Sequence, residues 1–130
     1  MGPPVHRPPA QRPAAQRQRA EQRGRQAEAR AAEWLFGQGW EILGQRVKTK
    51  LGEIDLIARR DGLVAFVEVK WRAKAEDLTM AVDEFRLRRV AAAAESVAHL
   101  YARPGEDMRI DVILLAPRSP PRHIVNAYQP

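Results

Sequence analysis

Asp61-Gly62 stands between two runs of strand-favouring residues, Glu53-Ile54-Asp55-Leu56-Ile57 and Phe66-Val67-Glu68-Val69-Lys70, and no other local signal restricts this chain as tightly. A two-residue Asp-Gly turn needs positive φ at both central positions and joins its flanking strands in a type I′ hairpin. With Arg60 and Leu63 flanking the turn, counting back along each strand puts Asp55 opposite Glu68 and Glu53 opposite Lys70. A symmetric four-residue loop keeps this register, whereas a bulge shifts it by one. Alternation then places Glu53, Asp55, Ile57, Phe66, Glu68 and Lys70 on one face, and Ile54, Leu56, Ala58, Ala65, Val67 and Val69 on the other. The second face is wholly apolar and is expected to cover a core, while the first displays three acids and a lysine. Like charges directly across a sheet cost a few tenths to about 1 kcal/mol. A divalent cation between Asp55 and Glu68 would remove that penalty.

Around the hairpin the chain reads as helix, three strands, helix, strand, with a short optional strand at the end. Residues Arg17 to Phe36 favour helix, and Gly37 and Gly39 stop it. Gly24, Glu28, Ala31, Ala32 and Leu35 share one face of that helix. Glu28 therefore sits inside an apolar stripe, where an acid is costly unless paired or bound to a cation; Glu21 lies on the same face. Trp40 to Leu43 begins a strand that continues irregularly through Val47. Residues 72–82 read as a loop, and Asp83 as the N-cap of a helix reaching Tyr101, with Arg86, Val90, Ala93, Val97 and Leu100 or Tyr101 as its stripe. Met108 to Ala116 is an apolar strand carrying Asp111, read as a satisfied strand-end acid. Pro117, Pro120 and Pro121 precede a short segment from Arg122 to Tyr128. Helices on a mixed sheet would bury the apolar face of the hairpin.

At 130 residues the chain suits one domain, expected over residues 17–130, with residues 1–16 as a disordered basic Pro/Arg-rich tail. The net charge of +6 is concentrated at the start: residues 1–25 hold six arginines against Glu21, and the rest carries 16 basic and 15 acidic residues. Such a tail suits non-sequence-specific phosphate contacts, and equally a plain solvated extension. No apolar run approaches the roughly 18 residues of a membrane span, and no secretory signal is evident, so a cytoplasmic protein is expected. The absence of cysteine excludes disulfides, thiol nucleophiles and thiolate-bound zinc, and His6, His99 and His123 have no ligand spacing. A metal here would be bound by oxygen.

Phosphodiester hydrolysis requires a cation to neutralise phosphate oxygens and activate water, and a group that handles protons or transition-state charge. Mg²⁺ binds through one or two carboxylates and keeps several waters, which Asp55 and Glu68 can provide, with Mn²⁺ as a substitute. Lys70 follows on the same face, one of only four lysines beside 18 arginines, and its compact ammonium suits a phosphate or an attacking water. Glu53 with Lys70 can equally be a structural cross-strand ion pair.

Asp55 with Glu68-Val69-Lys70 resembles the motif of the PD-(D/E)XK nuclease superfamily. More closely, Gly52-Glu53-Ile54-Asp55-Leu56-Ile57-Ala58 and Phe66-Val67-Glu68-Val69-Lys70-Trp71-Arg72 resemble the YraN family of small, largely uncharacterised bacterial proteins. Gly24 to Leu35 and Arg109-Ile110-Asp111-Val112 fit that family too, so the likeness covers residues 24–128. It implies an α/β fold with a restriction-endonuclease-like αβββαβ core, a mixed sheet flanked by helices. It also implies Asp55, Glu68 and Lys70 as catalytic residues, and Glu28, Asp55, Glu68 and the carbonyl of Val69 as metal ligands. The family's similarity to archaeal Holliday-junction resolvases implies branched or structured DNA as substrate; paired cuts in a junction would suit a homodimer. Arg46, Lys48, Arg72 and Arg86 are the expected nucleic-acid contacts. Three positions depart from the common pattern: Ile54 replaces a proline, Trp71 a small residue and Arg86 a lysine. A non-catalytic nucleic-acid- or protein-binding module on the same fold is the alternative.

Overall fold

The computed structural model describes residues 14–74 and 83–129. Its elements run α1 (Ala14–Gly37), β1 (Glu41–Thr49), β2 (Gly52–Arg60), β3 (Leu63–Trp71), α2 (Glu84–Tyr101), β4 (Asp107–Leu115) and β5 (Arg122–Ile124). The five strands form one sheet in the order β1-β2-β3-β4-β5. Only the β3/β4 pair is parallel. A parallel pair needs a crossover, and α2 supplies it. The architecture is thus the expected mixed α/β sheet with helices on its faces, consistent with a restriction-endonuclease-like core.

The hairpin turn has the anticipated chemistry: φ is 50° at Asp61 and 76° at Gly62, and the ladder runs from Arg60–Leu63 to Leu56–Val67. α1 starts at Ala14, ahead of Arg17, because Ala14, Ala15 and Gln16 favour helix as much as the residues after them. Most of the tail expected at residues 1–16 lies outside the described residues, as does most of the loop expected at 72–82. Asp83 caps α2, its carboxylate accepting from the N–H groups of Phe85 and Arg86. The buried stripe of α2 is Leu87, Val90, Ala93 and Ala94. Leu100, offered as a stripe residue, is 69% exposed, and Tyr101 packs on the core in its place.

The two helices bury both faces of the sheet. Ala27, Ala31, Ala32 and Leu35 of α1 pack with Trp40, Leu56, Ala58, Ala65, Val67, Ile113 and Leu115. Leu87, Val90, Ala93 and Ala94 of α2 pack with Ile54, Ile57, Val64, Phe66, Ile110, Val112 and Leu114. The expected open acidic face is therefore corrected: Ile57 and Phe66 are fully buried beneath α2. Strict alternation fails as well, since Ile54 joins the α2 cluster and Leu56 the α1 cluster.

The neighbouring strand is irregular at the same level. Between the pairs Gln45–Leu56 and Val47–Ile54, Arg46 adopts φ 52°, a left-handed conformation that costs a non-glycine residue roughly 1–2 kcal/mol. The β1/β2 ladder is interrupted at the level of Asp55. The β2/β3 ladder stops at the same level, at Leu56–Val67, whereas the β1/β2 pairing resumes at Val47–Ile54.

Asp111 is a satisfied acid, as expected, although it lies within β4 and not at its end. It is wholly buried. Arg109 donates to both its oxygens at 2.7 and 2.8 Å, His123 Nε2 lies 2.8 Å from Oδ2, and the Asn126 N–H donates to Oδ1 at 2.9 Å. Burial acts to raise its pKa, but these bonds hold it below the ordinary carboxylate value.

Candidate metal centre

Asp55 and Glu68 come from adjacent strands, just beyond the end of the β2/β3 ladder, and are 8% and 2% exposed. Oδ2 of Asp55 accepts the Val69 N–H at 2.8 Å. Burial, reinforced by the neighbouring Glu68 charge, pushes the Asp55 pKa up to about 7, against the opposing pull of the Val69 hydrogen bond. Glu68 Oε1 accepts from Arg86 Nε at 2.8 Å and lies 3.4 Å from Lys70 Nζ. Its other oxygen, Oε2, is buried without a hydrogen-bond partner among the described residues.

Two further acids complete the group. Glu28 reaches the sheet from α1, and carboxylate oxygens of Glu28, Glu53 and Asp55 all lie within 4.8 Å of one another. Burial raises the Glu28 pKa; Arg46 opposes this, and Glu53 and Glu68 add to it. Glu28 Oε2 is the second buried oxygen without a hydrogen-bond partner among the described residues. Arg46 Nε stands 3.8 Å from that oxygen and 3.9 Å from Glu53 Oε1, in ion-pair range but too far to hydrogen-bond.

Glu28, Glu53 and Asp55 therefore form the clustered set, with the Glu68 charge acting on Glu28 and Asp55, and three cations face these acids: Arg46, Lys70 and Arg86. A buried carboxylate oxygen without a partner costs about 1–3 kcal/mol, more when charged. An oxygen-seeking divalent cation would satisfy such atoms, and this all-oxygen donor set fits one. The acidic cluster is thus a site at which a metal can be held.

Each expected residue can now be placed. Glu28, Asp55, Glu68 and Lys70 are brought together where the β2/β3 ladder stops, and Val69 enters through its N–H to Asp55. Glu53, expected to stand opposite Lys70, groups with Glu28 and Asp55, while the ion pair of Lys70 is with Glu68. Two expected nucleic-acid contacts, Arg46 and Arg86, face the acids. Lys48 is exposed and stands opposite Glu53 on β1. Arg72 Nη1 donates to the Trp71 carbonyl at 2.8 Å. Glu53 shares the alternation parity of Asp55, which is the signal for its place in the cluster. No comparable signal gave Arg46 and Arg86 their acidic partners.

Fold and site define a class: a small α/β domain, with a restriction-endonuclease-like sheet, that gathers acids where its hairpin strands part. The chain belongs to the uncharacterised protein family UPF0102, the YraN family, whose model matches residues 27–115. It is 68% identical over 100 residues to a UPF0102 protein of Erythrobacter litoralis, spanning 77% of this chain and 86% of that one. A UPF0102 protein of Sphingopyxis alaskensis is 60% identical over 100 residues, with the same coverage. Another, from Rhizorhabdus wittichii, is 54% identical over 98 residues, covering 75% of this chain and 83% of the relative. Among the described residues, no helix is long and apolar enough to cross a membrane.

Proposed function

We propose that this chain is a Mg²⁺-dependent endonuclease that hydrolyses phosphodiester bonds in DNA, with branched or structured DNA as its substrate class. The observation that carries this reading is the buried Glu68 carboxylate, whose Oε2 has no hydrogen-bond partner, beside an Asp55 whose pKa is pushed up to about 7. Strongly perturbed acids with unmet bonding capacity characterise functional sites.

Asp55 and Glu68 hold the cation, and Glu28 and Glu53 lie close enough to complete its surroundings. A divalent cation bound there supplies charge neutralisation at a phosphate oxygen and lowers the pKa of water. The Val69 N–H fixes the orientation of Asp55 before substrate arrives. Lys70, 21% exposed and in contact with Glu68, is positioned to place its ammonium against the developing phosphate charge or to hold a proton of the attacking water. With a cation added, four acids and three basic side chains carry a net positive charge, which favours a phosphodiester over a neutral ligand. Exposed Lys48, together with Arg72, extends that preference along the nucleic-acid backbone. The likeness to archaeal Holliday-junction resolvases supports a branched substrate, and a junction with two-fold symmetry calls for two copies of the chain.

The test incubates the full chain with Mg²⁺ or Mn²⁺ and linear, flap and four-way-junction DNAs, beside Asp55→Ala and Lys70→Ala. Cleavage by the wild type that is abolished in both variants is expected. Equal cleavage by all three proteins would overturn the assignment. Metal binding that depends on Asp55 without cleavage of any DNA would favour the non-catalytic module.

A further inference from the structure

Of the three cations at the acidic site, Arg46 is held differently. Arg86 makes a 2.8 Å hydrogen bond to Glu68, and Lys70 lies 3.4 Å from the same oxygen. Among the described residues Arg46 makes no hydrogen bond to an acid: its Nε stands 3.8 and 3.9 Å from Glu28 and Glu53, and its side chain is 39% exposed. Yet a left-handed backbone at the level of Asp55 aims it there.

We infer that Arg46 is an exchangeable counter-charge: it neutralises Glu28 and Glu53 until a divalent cation displaces it, and then swings to the substrate phosphodiester. This rests on the metal-dependent reading above and adds to it a positioning residue that links metal loading to substrate capture. Glu28 and Glu53 belong to the group whose oxygens lie within 4.8 Å of one another. Mg²⁺ binds oxygen at about 2.0–2.1 Å, which sets two of its ligands at most about 4.2 Å apart, so at most a small closing of the two carboxylates lets one ion span them. Arg46 and the ion therefore compete for the same two charges. Arg46 is the cation most easily released: unlike Arg86 it has no hydrogen bond to an acid to break, and it stands farther from its acids than Lys70 does from Glu68 and is more exposed, 39% against 21%. Once released, its planar fork of donors matches a phosphate, which it can bind through two parallel hydrogen bonds.

The exchange makes a prediction that a fixed structural arginine does not. Arg46→Asn removes the charge and suits the backbone, since asparagine tolerates positive φ. Calorimetric titration of the full chain with Mn²⁺ and no DNA should show at least fivefold tighter binding in Arg46→Asn. Arg46→Lys should stay within twofold of wild type. Lys50→Asn, which removes an equal charge from an exposed position just beyond the same strand, should change metal affinity by less than twofold. With Ca²⁺ in place of Mg²⁺, Arg46→Asn should bind junction DNA at least fivefold more weakly. Thermal unfolding of each variant verifies that it is folded.

Unchanged or weaker metal binding in Arg46→Asn would overturn the exchange, as would equal tightening in Lys50→Asn, which would mark a general charge effect. If Asp55→Ala binds Mn²⁺ as wild type does, the metal reading itself fails and the exchange falls with it. If Asp55→Ala loses Mn²⁺ while Arg46→Asn matches wild type, only the exchange fails.

Discussion

The Val69 N–H donates to Oδ2 of Asp55 at 2.8 Å, so a side chain of β2 takes the hydrogen that a backbone carbonyl of β2 would accept in a continued ladder. The hairpin strands are thereby tied together after their regular pairing has ended. The tie also fixes a carboxylate at the point where the site opens.

Burial of Asp55 gives stability a definite pH dependence. Its pKa rises from 3.8 to about 7 on folding, so the native chain binds the proton more tightly than the unfolded chain. This contribution is fully present below pH 4, is lost as pH rises towards 7 and is constant above. Asp55→Asn keeps an acceptor for Val69 and removes the charge. In urea unfolding with chelator present, the variant should exceed wild type by roughly 2–4 kcal/mol at pH 8, each tenfold change in proton affinity being worth about 1.36 kcal/mol. The difference should nearly vanish at pH 4. A variant less stable than wild type at pH 8 would show that the ionised Asp55 is net stabilising.

Metal binding should expel the Asp55 proton, because a carboxylate ligand must be ionised. Between pH 5 and 7, Mn²⁺ affinity should rise by up to about tenfold per pH unit, then level off. Calorimetry in two buffers of different ionisation enthalpy should count close to one proton released at pH 6 and few at pH 8. Equal release at both values would remove Asp55 from the ligand set.

Lys70→Ala separates chemistry from metal binding. Cleavage should fall at least a hundredfold, the general scale for losing a positioned charge or proton donor. Mn²⁺ affinity should be retained or increase, since a cation beside Glu68 is removed. A loss of metal binding in this variant would show Lys70 to be a support for Glu68.

What local chemistry determines was legible in the sequence. Asp61-Gly62 fixed the turn and the register from Arg60–Leu63 to Leu56–Val67, because its φ requirement involves no distant residue. Glu28 stood out because an acid in an Ala/Leu stripe must find compensation. The break between Ile54 and Leu56 was not legible, since it arises where Arg46 of another strand turns left-handed. Ile57 and Phe66 looked open because alternation shows which residues share a face but not that α2 returns to cover it. Arg46 and Arg86 were read as phosphate contacts because charge is visible in a sequence, whereas the acids that these side chains meet lie on other elements of the fold.

Asp111 provides a test of the fold away from the site. Asp111→Ala would strand Arg109, His123 and the Asn126 N–H around a fully buried gap. Removing one partner of such a buried group typically costs about 3–5 kcal/mol. Denaturant unfolding should show this destabilisation, with Asp111→Asn less affected. A change below about 1 kcal/mol would mean the network is readily rehydrated.

Lys48→Ala and Arg72→Ala should each weaken DNA binding similarly across sequences. The slope of log K against log salt should become shallower by about 1 for each phosphate that is no longer neutralised. An unchanged slope would remove that residue from the nucleic-acid path.

The irregularity of β1 also bears on how the chain avoids unwanted company. β1 is an outermost strand, and a long, flat outer strand invites other chains to extend the sheet. Here a newcomer would have to follow a register shift between Ile42 and Gly44, then a reversed residue at Arg46, past charged Glu41 and Lys48. The irregularity beside the acids thus also makes this edge a poor template for a further strand. Straightening it, as in a β-branched substitution at Arg46, would trade solubility for order.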